Sequence, residues 1–275
     1  MAIANLSSPV AGDDEPVRSR LLMKDFARYH PRATLVLLRH GMSDSNEDQR
    51  FGGWHDVGLS PRGIEQARAA GRLLDRMGVR FDRALSSVLR RAIWTQRHCL
   101  DELGQSWVPA TCDWRFNERH YGALQGLSKP TAIEMHGEEQ VRSWRRDFDA
   151  WPPVLSAGDE RDSYGKVQYR GLSRSQVPLG ESLRATQARV WGAWTDIVAP
   201  ALCRGETVLL VAHGNSIRSL MMVLEGISET DIPLVEIPHA VPLFYRMTSA
   251  GLSRFVPPGE SSDGARPTRG RQSRA

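Results

Sequence analysis

Two short runs constrain this chain more than any other feature. Thr34-Leu35-Val36-Leu37-Leu38 and Thr207-Val208-Leu209-Leu210-Val211 are β-branched or apolar throughout, with no polar alternation. A strand covered on both faces reads this way, and such strands belong to parallel sheets sandwiched between helices. Each run ends in the same dipeptide, His40-Gly41 and His213-Gly214.

The intervening sequence supplies the helices. Ser60-Pro61 caps and opens one, with Ile64, Ala67, Gly71, Leu74 and Met77 along a single face. A second strand is expected at 83–86 and a second amphipathic helix over about 88–103, with Leu89, Ile93, Cys99, Leu100 and Leu103 inward. Residues 129–148 read as two helical pieces, and 149–180 as a long Pro- and Gly-containing insertion. A long helix is expected over about 181–203, another over about 215–225, and a closing strand at Pro242–Met247. Strands alternating with helices of ten or more residues predict an α/β fold: a three-layer αβα sandwich with a mainly parallel sheet and helices on both faces.

The 275 residues are 40% hydrophobic and 25% charged, which excludes disorder throughout and a small disulfide-stapled scaffold. Cys99, Cys112 and Cys203 are odd in number and widely spaced, so reduced thiols are expected and no zinc motif is. The absence of a long apolar stretch predicts no membrane partner. A soluble, cytoplasmic chain is the expectation. The domain reading is a flexible extension over 1–30, one catalytic domain over 31–250 and a disordered basic tail over 251–275. Met23 is a candidate true start of translation. The net charge is +4, but the tail carries five arginines against Glu260 and Asp263, leaving the middle nearly neutral. No specific nucleic-acid partner is therefore expected.

In open α/β sheets ligands bind beyond the carboxyl ends of strands. His40 and His213 both fall there, and Arg39 precedes the first. An imidazole can take up a phosphoryl group, splitting one displacement into two. That chemistry requires cationic forks around the phosphoryl oxygens, for which Arg39 and Arg91 are suited, and a proton donor, for which Glu118 is the leading candidate. No Asp/Glu/His cluster has metal-ligand spacing, so no metal is expected. Without further context, Arg145 and Arg146 read as a solvated helix face and Glu118 as an ion-pair partner of Arg119 or a nearby arginine. His55, His98, His136 and His239 match no catalytic motif and read as structural.

Four segments carry a resemblance. Leu38-Arg39-His40-Gly41, Arg90-Arg91-Ala92-Ile93, the eleven residues Asn117 to Leu127 (NERHYGALQGL) and Ala212-His213-Gly214-Asn215-Ser216 resemble the histidine phosphatase superfamily, and within it the 2,3-bisphosphoglycerate-dependent phosphoglycerate mutases. The likeness runs over about 34–247. It implies that His40 is phosphorylated, Glu118 shuttles the substrate proton, and His213, Arg39 and Arg91 stabilise the moving phosphoryl group. It implies substrate contacts from Asn46, Gly52, Gly53, Tyr121, Lys129, Arg145, Arg146, Gly214 and Asn215. The activity implied is interconversion of 3- and 2-phosphoglycerate in glycolysis and gluconeogenesis, with 2,3-bisphosphoglycerate as primer, in a homo-oligomer (dimer or tetramer). The alternatives are a broad phosphatase of the same fold and a catalytically silent regulatory protein. Met42, Gly52 and Gly180 depart from the mutase pattern, which has an acid, a threonine and a threonine there. The 149–180 insertion is expected to help cover the site.

Overall fold

A computed structural model describes residues 33–156, 158–248 and 251–257. The expected readings for 1–30 and for 258–275 lie outside the described residues. Six strands form one sheet in the order β3-β2-β4-β1-β5-β6. The parallel core comprises β1 (Thr34–Arg39), β2 (Arg83–Ser86), β3 (Ala110–Cys112) and β4 (Thr207–Ala212). β5 (Pro242–Thr248) and β6 (Gly251–Phe255) add an antiparallel edge.

The two central strands behave as their composition demands. Leu35, Leu37, Val208 and Leu210 enter one apolar layer, whereas Val36, Leu38, Leu209 and Val211 enter the other. The period-two alternation of side chains thus feeds two cores at once. The first core is closed by α6 (Leu183–Ala193), α7 (Ala199–Cys203) and α8 (Gly214–Glu225). The second is closed by α2 (Pro61–Arg76) and α3 (Arg90–Glu102). This is the expected three-layer arrangement. In-register pairing of Arg39 with Ala212 brings the carboxyl ends of β1 and β4 level, so His40 and His213 emerge side by side.

Ser60 caps α2 through Gly63 N, with Pro61 in the first turn. The 129–148 region divides as expected into α4 (Lys129–His136) and α5 (Glu138–Arg146), broken at Gly137 with φ +80°. The long helix over 181–203 is interrupted by a π-turn at Trp194–Val198, shortly before Pro200, whose missing N–H cannot serve a regular ladder.

Three expectations need correction. The tail does not begin at 251, because β6 pairs with β5 from Thr248↔Gly251 to Phe244↔Phe255. Leu252 is buried and the Phe255 ring packs on Phe244, so two apolar side chains anchor a segment that otherwise looks tail-like. The folded domain accordingly extends past residue 250. β3 lay unread because all three of its residues are exposed, leaving no hydrophobic pattern to find. Finally, the 149–180 insertion braces the underside of the site instead of covering it. Its Tyr169 is buried, stacks on Trp54 at 5.0 Å and accepts a 2.9 Å hydrogen bond from Asn117 Nδ2.

Candidate active site

The site begins at the turn after β1. His40 is buried, and its ring centroid lies 4.9 Å from that of His213. His40 Nδ1 stands 2.7 Å from the Gly41 carbonyl oxygen, which can only accept. The proton therefore sits on Nδ1, and the lone pair is left on Nε2. Burial, reinforced by His213 and Arg91, holds the imidazole well below the ordinary histidine range, so it is neutral at neutral pH. A neutral ring with a free Nε2 is the nucleophilic form.

Gly41 is obligatory for this geometry. A Cβ there would lie 2.3 Å from the Gly63 carbonyl oxygen, and one at Gly63 would lie 1.9 Å from that of Met42. The turn thus packs backbone to backbone on the start of α2. Gly41 N also donates to Thr95 Oγ1, at 3.0 Å.

Arg91, in the first turn of α3, is buried and charged. Its Nη1 donates to His55 O and its Nη2 to Gly53 O, at 2.9 and 2.8 Å. Burial lowers its pKa to about 10, still well above neutrality. Arg39 Nη1 donates to Ile237 O at 2.6 Å, whereas Arg39 Nε is buried without a hydrogen-bond partner. His213 is likewise neutral by burial, with Arg91 next in effect. Its Nε2 is held 2.7 Å from Ser87 Oγ, and its Nδ1 is buried without a partner. Unpaired donors next to a neutral nucleophile are what an anion-receiving pocket needs.

Glu118 approaches from the loop after β3. Its Oε1 accepts from Arg119 N at 2.8 Å and from Asn215 N, at the start of α8, at 3.1 Å. The helix N-terminus therefore fixes the carboxylate. Among the described residues no ion pair joins Glu118 to Arg119, so the ion-pair reading of Glu118 fails. Arg189 secures the loop, donating to the carbonyls of Arg115, Asn117 and Glu118 while pairing with Glu181.

A cavity of about 210 Å³ joins these groups to an outer set. Thirteen of the fourteen expected site residues line it: Arg39, His40, Asn46, Gly52, Gly53, Arg91, Glu118, Tyr121, Lys129, Arg145, Arg146, Gly214 and Asn215. His213 lies directly behind, against His40. Arg145 and Arg146 are half-buried at the end of α5 and face the cleft, so the solvated-face reading fails too. Lys129, at the start of α4, has a lowered pKa from burial and from Arg145 beside it. Asn46 Oδ1 is occupied by Ser43 in a capping box, which leaves its Nδ2 as the donor for the cleft. Tyr121 Oη accepts from Asn215 Nδ2 at 3.1 Å; burial is the largest single effect and opposes ionisation there, but the charge of Arg119 and the hydrogen bonds from Arg119 and Asn215 together lower the phenol. Among the described residues, none of 149–180 lines the cleft, Gly180 included, and Met42 does not either.

Several residues escaped sequence reasoning. His239 is not merely structural: its Nδ1 lies 2.8 Å from His40 O and its ring meets His40 edge-on at 5.4 Å. Burial lowers its pKa to about 4. Arg218 lines the cleft and ties α5 to α8 by donating to the Arg145 and Arg146 carbonyls. Glu236 is a second carboxylate in the cleft, paired with Arg146. An arginine four residues into an apolar helix and a glutamate on a loop carry no spacing signal. Among the described residues, no group of three or more His, Cys, Asp or Glu could hold a metal, and no helix is long and apolar enough to cross a membrane.

A buried, neutral histidine flanked by arginines at the carboxyl end of a parallel sheet defines a class of α/β proteins built to receive a phosphoryl group. More narrowly, the family model of the histidine phosphatase superfamily (branch 1) matches residues 35–173 and 158–243, and the chain belongs to that superfamily of phosphoryl-transfer enzymes. Among solved structures it is similar to a mycobacterial glucosyl-3-phosphoglycerate phosphatase complexed with VO3, at 26% identity and TM-score 0.62, covering 82% of this chain and 98% of that one. It is similar also to a structure titled mycobacterial hydrolase 1 (25% identity, TM-score 0.62, 82% and 97% covered). Bacillus stearothermophilus YhfR shares the fold at 22% identity and TM-score 0.62, with 84% and 98% covered.

Proposed function

We propose that this chain is a histidine-type phosphatase acting on a small phosphorylated carboxylic acid of the phosphoglycerate class. The observation that carries the substrate class is the confluence of Lys129, Arg145 and Arg146 with the Arg39/His40/Arg91 pocket in one cavity. A simple phosphate monoester needs only the inner pocket. A second cation set implies a second anionic group on the ligand.

His40 Nε2 attacks phosphorus while Glu118 delivers a proton to the departing alcohol oxygen. Arg39, Arg91 and His213 hold the three equatorial oxygens in transit. Water then attacks the phosphohistidine, giving its proton to the Glu118 carboxylate, and inorganic phosphate leaves. Asn46, Gly53 and Tyr121 line the same cavity, and the Asn215 N–H orients Glu118.

Two observations favour water as the acceptor. One of the similar solved structures is a phosphatase, the mycobacterial glucosyl-3-phosphoglycerate phosphatase. Gly52 also presents no side chain, and a Cβ there would have nothing closer than 3.9 Å, leaving room beside Arg91 and Ser45 for water.

The second reading, the mutase implied by the sequence resemblance, is favoured by the same outer cations, which could retain a bisphosphorylated intermediate long enough to reverse it. In that case 2,3-bisphosphoglycerate is the primer. A paired assay separates the two: release of inorganic phosphate from 3-phosphoglycerate and formation of 2-phosphoglycerate, each with and without added 2,3-bisphosphoglycerate. Phosphate release exceeding isomerisation supports the phosphatase; isomerisation dependent on the bisphosphate, with little phosphate released, establishes the mutase instead. Absence of both activities in protein that forms no phosphoenzyme returns the silent alternative.

A further inference from the structure

A carboxylate is out of place in a cleft whose other lining side chains include Arg39, Arg50, Arg91, Lys129, Arg145, Arg146 and Arg218. Glu118 has a role in the proposed chemistry, whereas Glu236 has none there. It sits on the rim, pairs with Arg146, and adds to the field felt by Arg39.

The backbone around Glu236 is held firmly. Ile237 O receives Arg39 Nη1, His239 Nδ1 meets His40 O, and Ala240 N donates to Arg39 O at 2.9 Å. Ala240 adopts φ +54°, unusual for a residue with a side chain. A strap over 236–240 therefore crosses the site, bonded to the same two residues that begin the chemistry. A side chain on this strap keeps a set distance from the phosphoryl pocket. Glu236 is 56% exposed on its side chain.

We infer that Glu236 is a specificity-determining residue, selecting ligands by the charge of the end remote from the transferred phosphoryl group. This rests on the function proposed above and refines its substrate class. By pairing with Arg146, Glu236 cancels one of the outer cations and faces the ligand's tail with like charge. Lys129 and Arg145 suffice for one carboxylate. A second phosphate, carrying close to two charges, meets a cation already neutralised and a carboxylate that repels it. The cleft thus admits a monophosphorylated acid and disfavours a bisphosphorylated one. Hydrolysis, which has no need to hold a bisphosphate, fits such a cleft better than isomerisation.

Binding to the full chain carrying His40→Ala, which prevents turnover, tests this directly. Isothermal titration with glycerol 3-phosphate, 3-phosphoglycerate and 2,3-bisphosphoglycerate compares ligands on one three-carbon skeleton whose ends remote from the transferred phosphoryl carry none, one and about three charges. Adding Glu236→Gln is expected to leave the first within about twofold, tighten the second about threefold and the third about tenfold, rising with tail charge at partly exposed sites. The gains shrink at high salt, and Glu236→Asp restores the original order. A uniform change across the three ligands, or none, overturns the inference while leaving the phosphatase intact. If none of the three binds either variant, the substrate class falls and this inference with it.

Discussion

The inner and outer ends of the cleft are made from different parts of the fold. The inner end is built on strand termini and helix starts: His40 after β1, Arg91 in the first turn of α3, His213 between β4 and α8. All three are buried, and their side-chain hydrogen-bond partners are backbone carbonyls or a single hydroxyl. The outer end is carried by α4 and α5 and by the 236–240 strap, where Lys129, Arg145 and Arg146 are half-buried. In the proposed function the sheet supplies a fixed pocket for a phosphoryl group, while less buried elements meet the variable remainder of a ligand. Chemistry and selection occupy separate substructures, so substitutions at each end should have separable signatures.

The largest effect is expected at the inner end. Arg91→Gln should lower kcat/KM by about 10²- to 10³-fold for every phosphate ester alike, because it removes a charged donor from the phosphoryl pocket. It should also cost about 2 kcal/mol of stability, since the Gly53 and His55 carbonyls lose their partner. Urea denaturation alongside steady-state kinetics checks both. A loss confined to acid-bearing substrates would place Arg91 with the outer set and erase the distinction.

Next comes the outer end. Lys129→Met should raise KM for 3-phosphoglycerate about tenfold, as expected for one charge-assisted contact. It should leave p-nitrophenyl phosphate, which has no anionic tail, within about twofold. Equal losses on both substrates would mean that Lys129 serves the phosphoryl group.

Acid acts more gradually, and it separates the ends by stability. His40 and His213 lie well below the ordinary range through burial, and His120 is lowered by burial to about 4. The unfolded chain therefore binds protons from about pH 6.5 downward that the folded chain refuses. Stability is complete above that pH and falls toward pH 4, by up to about 1.4 kcal/mol per unit for each fully buried histidine. Melting curves from pH 7.5 to 4.5 should show the loss. A melting temperature flat to pH 5 would show these rings to be accessible to protons.

How much of this was legible beforehand follows the same division. The inner end could be read because β1 and β4 are continuous apolar runs, and a strand end followed by His-Gly marks a ligand position from topology alone. The outer cations were placed by the resemblance; spacing on α5 only marked a solvated face. What stayed hidden lacked a local signature. β3 has no buried side chain, and β6 hides Leu252 and Phe255 among Gly, Ser and Arg. His239 and Glu236 become part of the site only because β5 returns antiparallel to β1, a pairing between segments some 200 residues apart in sequence.

The central claim is that a neutral His40 takes the phosphoryl group on Nε2. Rapid quenching of the chain with radiolabelled 2,3-bisphosphoglycerate or 3-phosphoglycerate, followed by peptide mapping under alkaline conditions, tests it most directly. The expected result is acid-labile phosphate on the peptide containing His40, absent from His40→Asn and lingering longer when Glu118→Gln slows its discharge to water. Phosphate released at the normal rate by His40→Asn, or label found on another residue, would contradict the account.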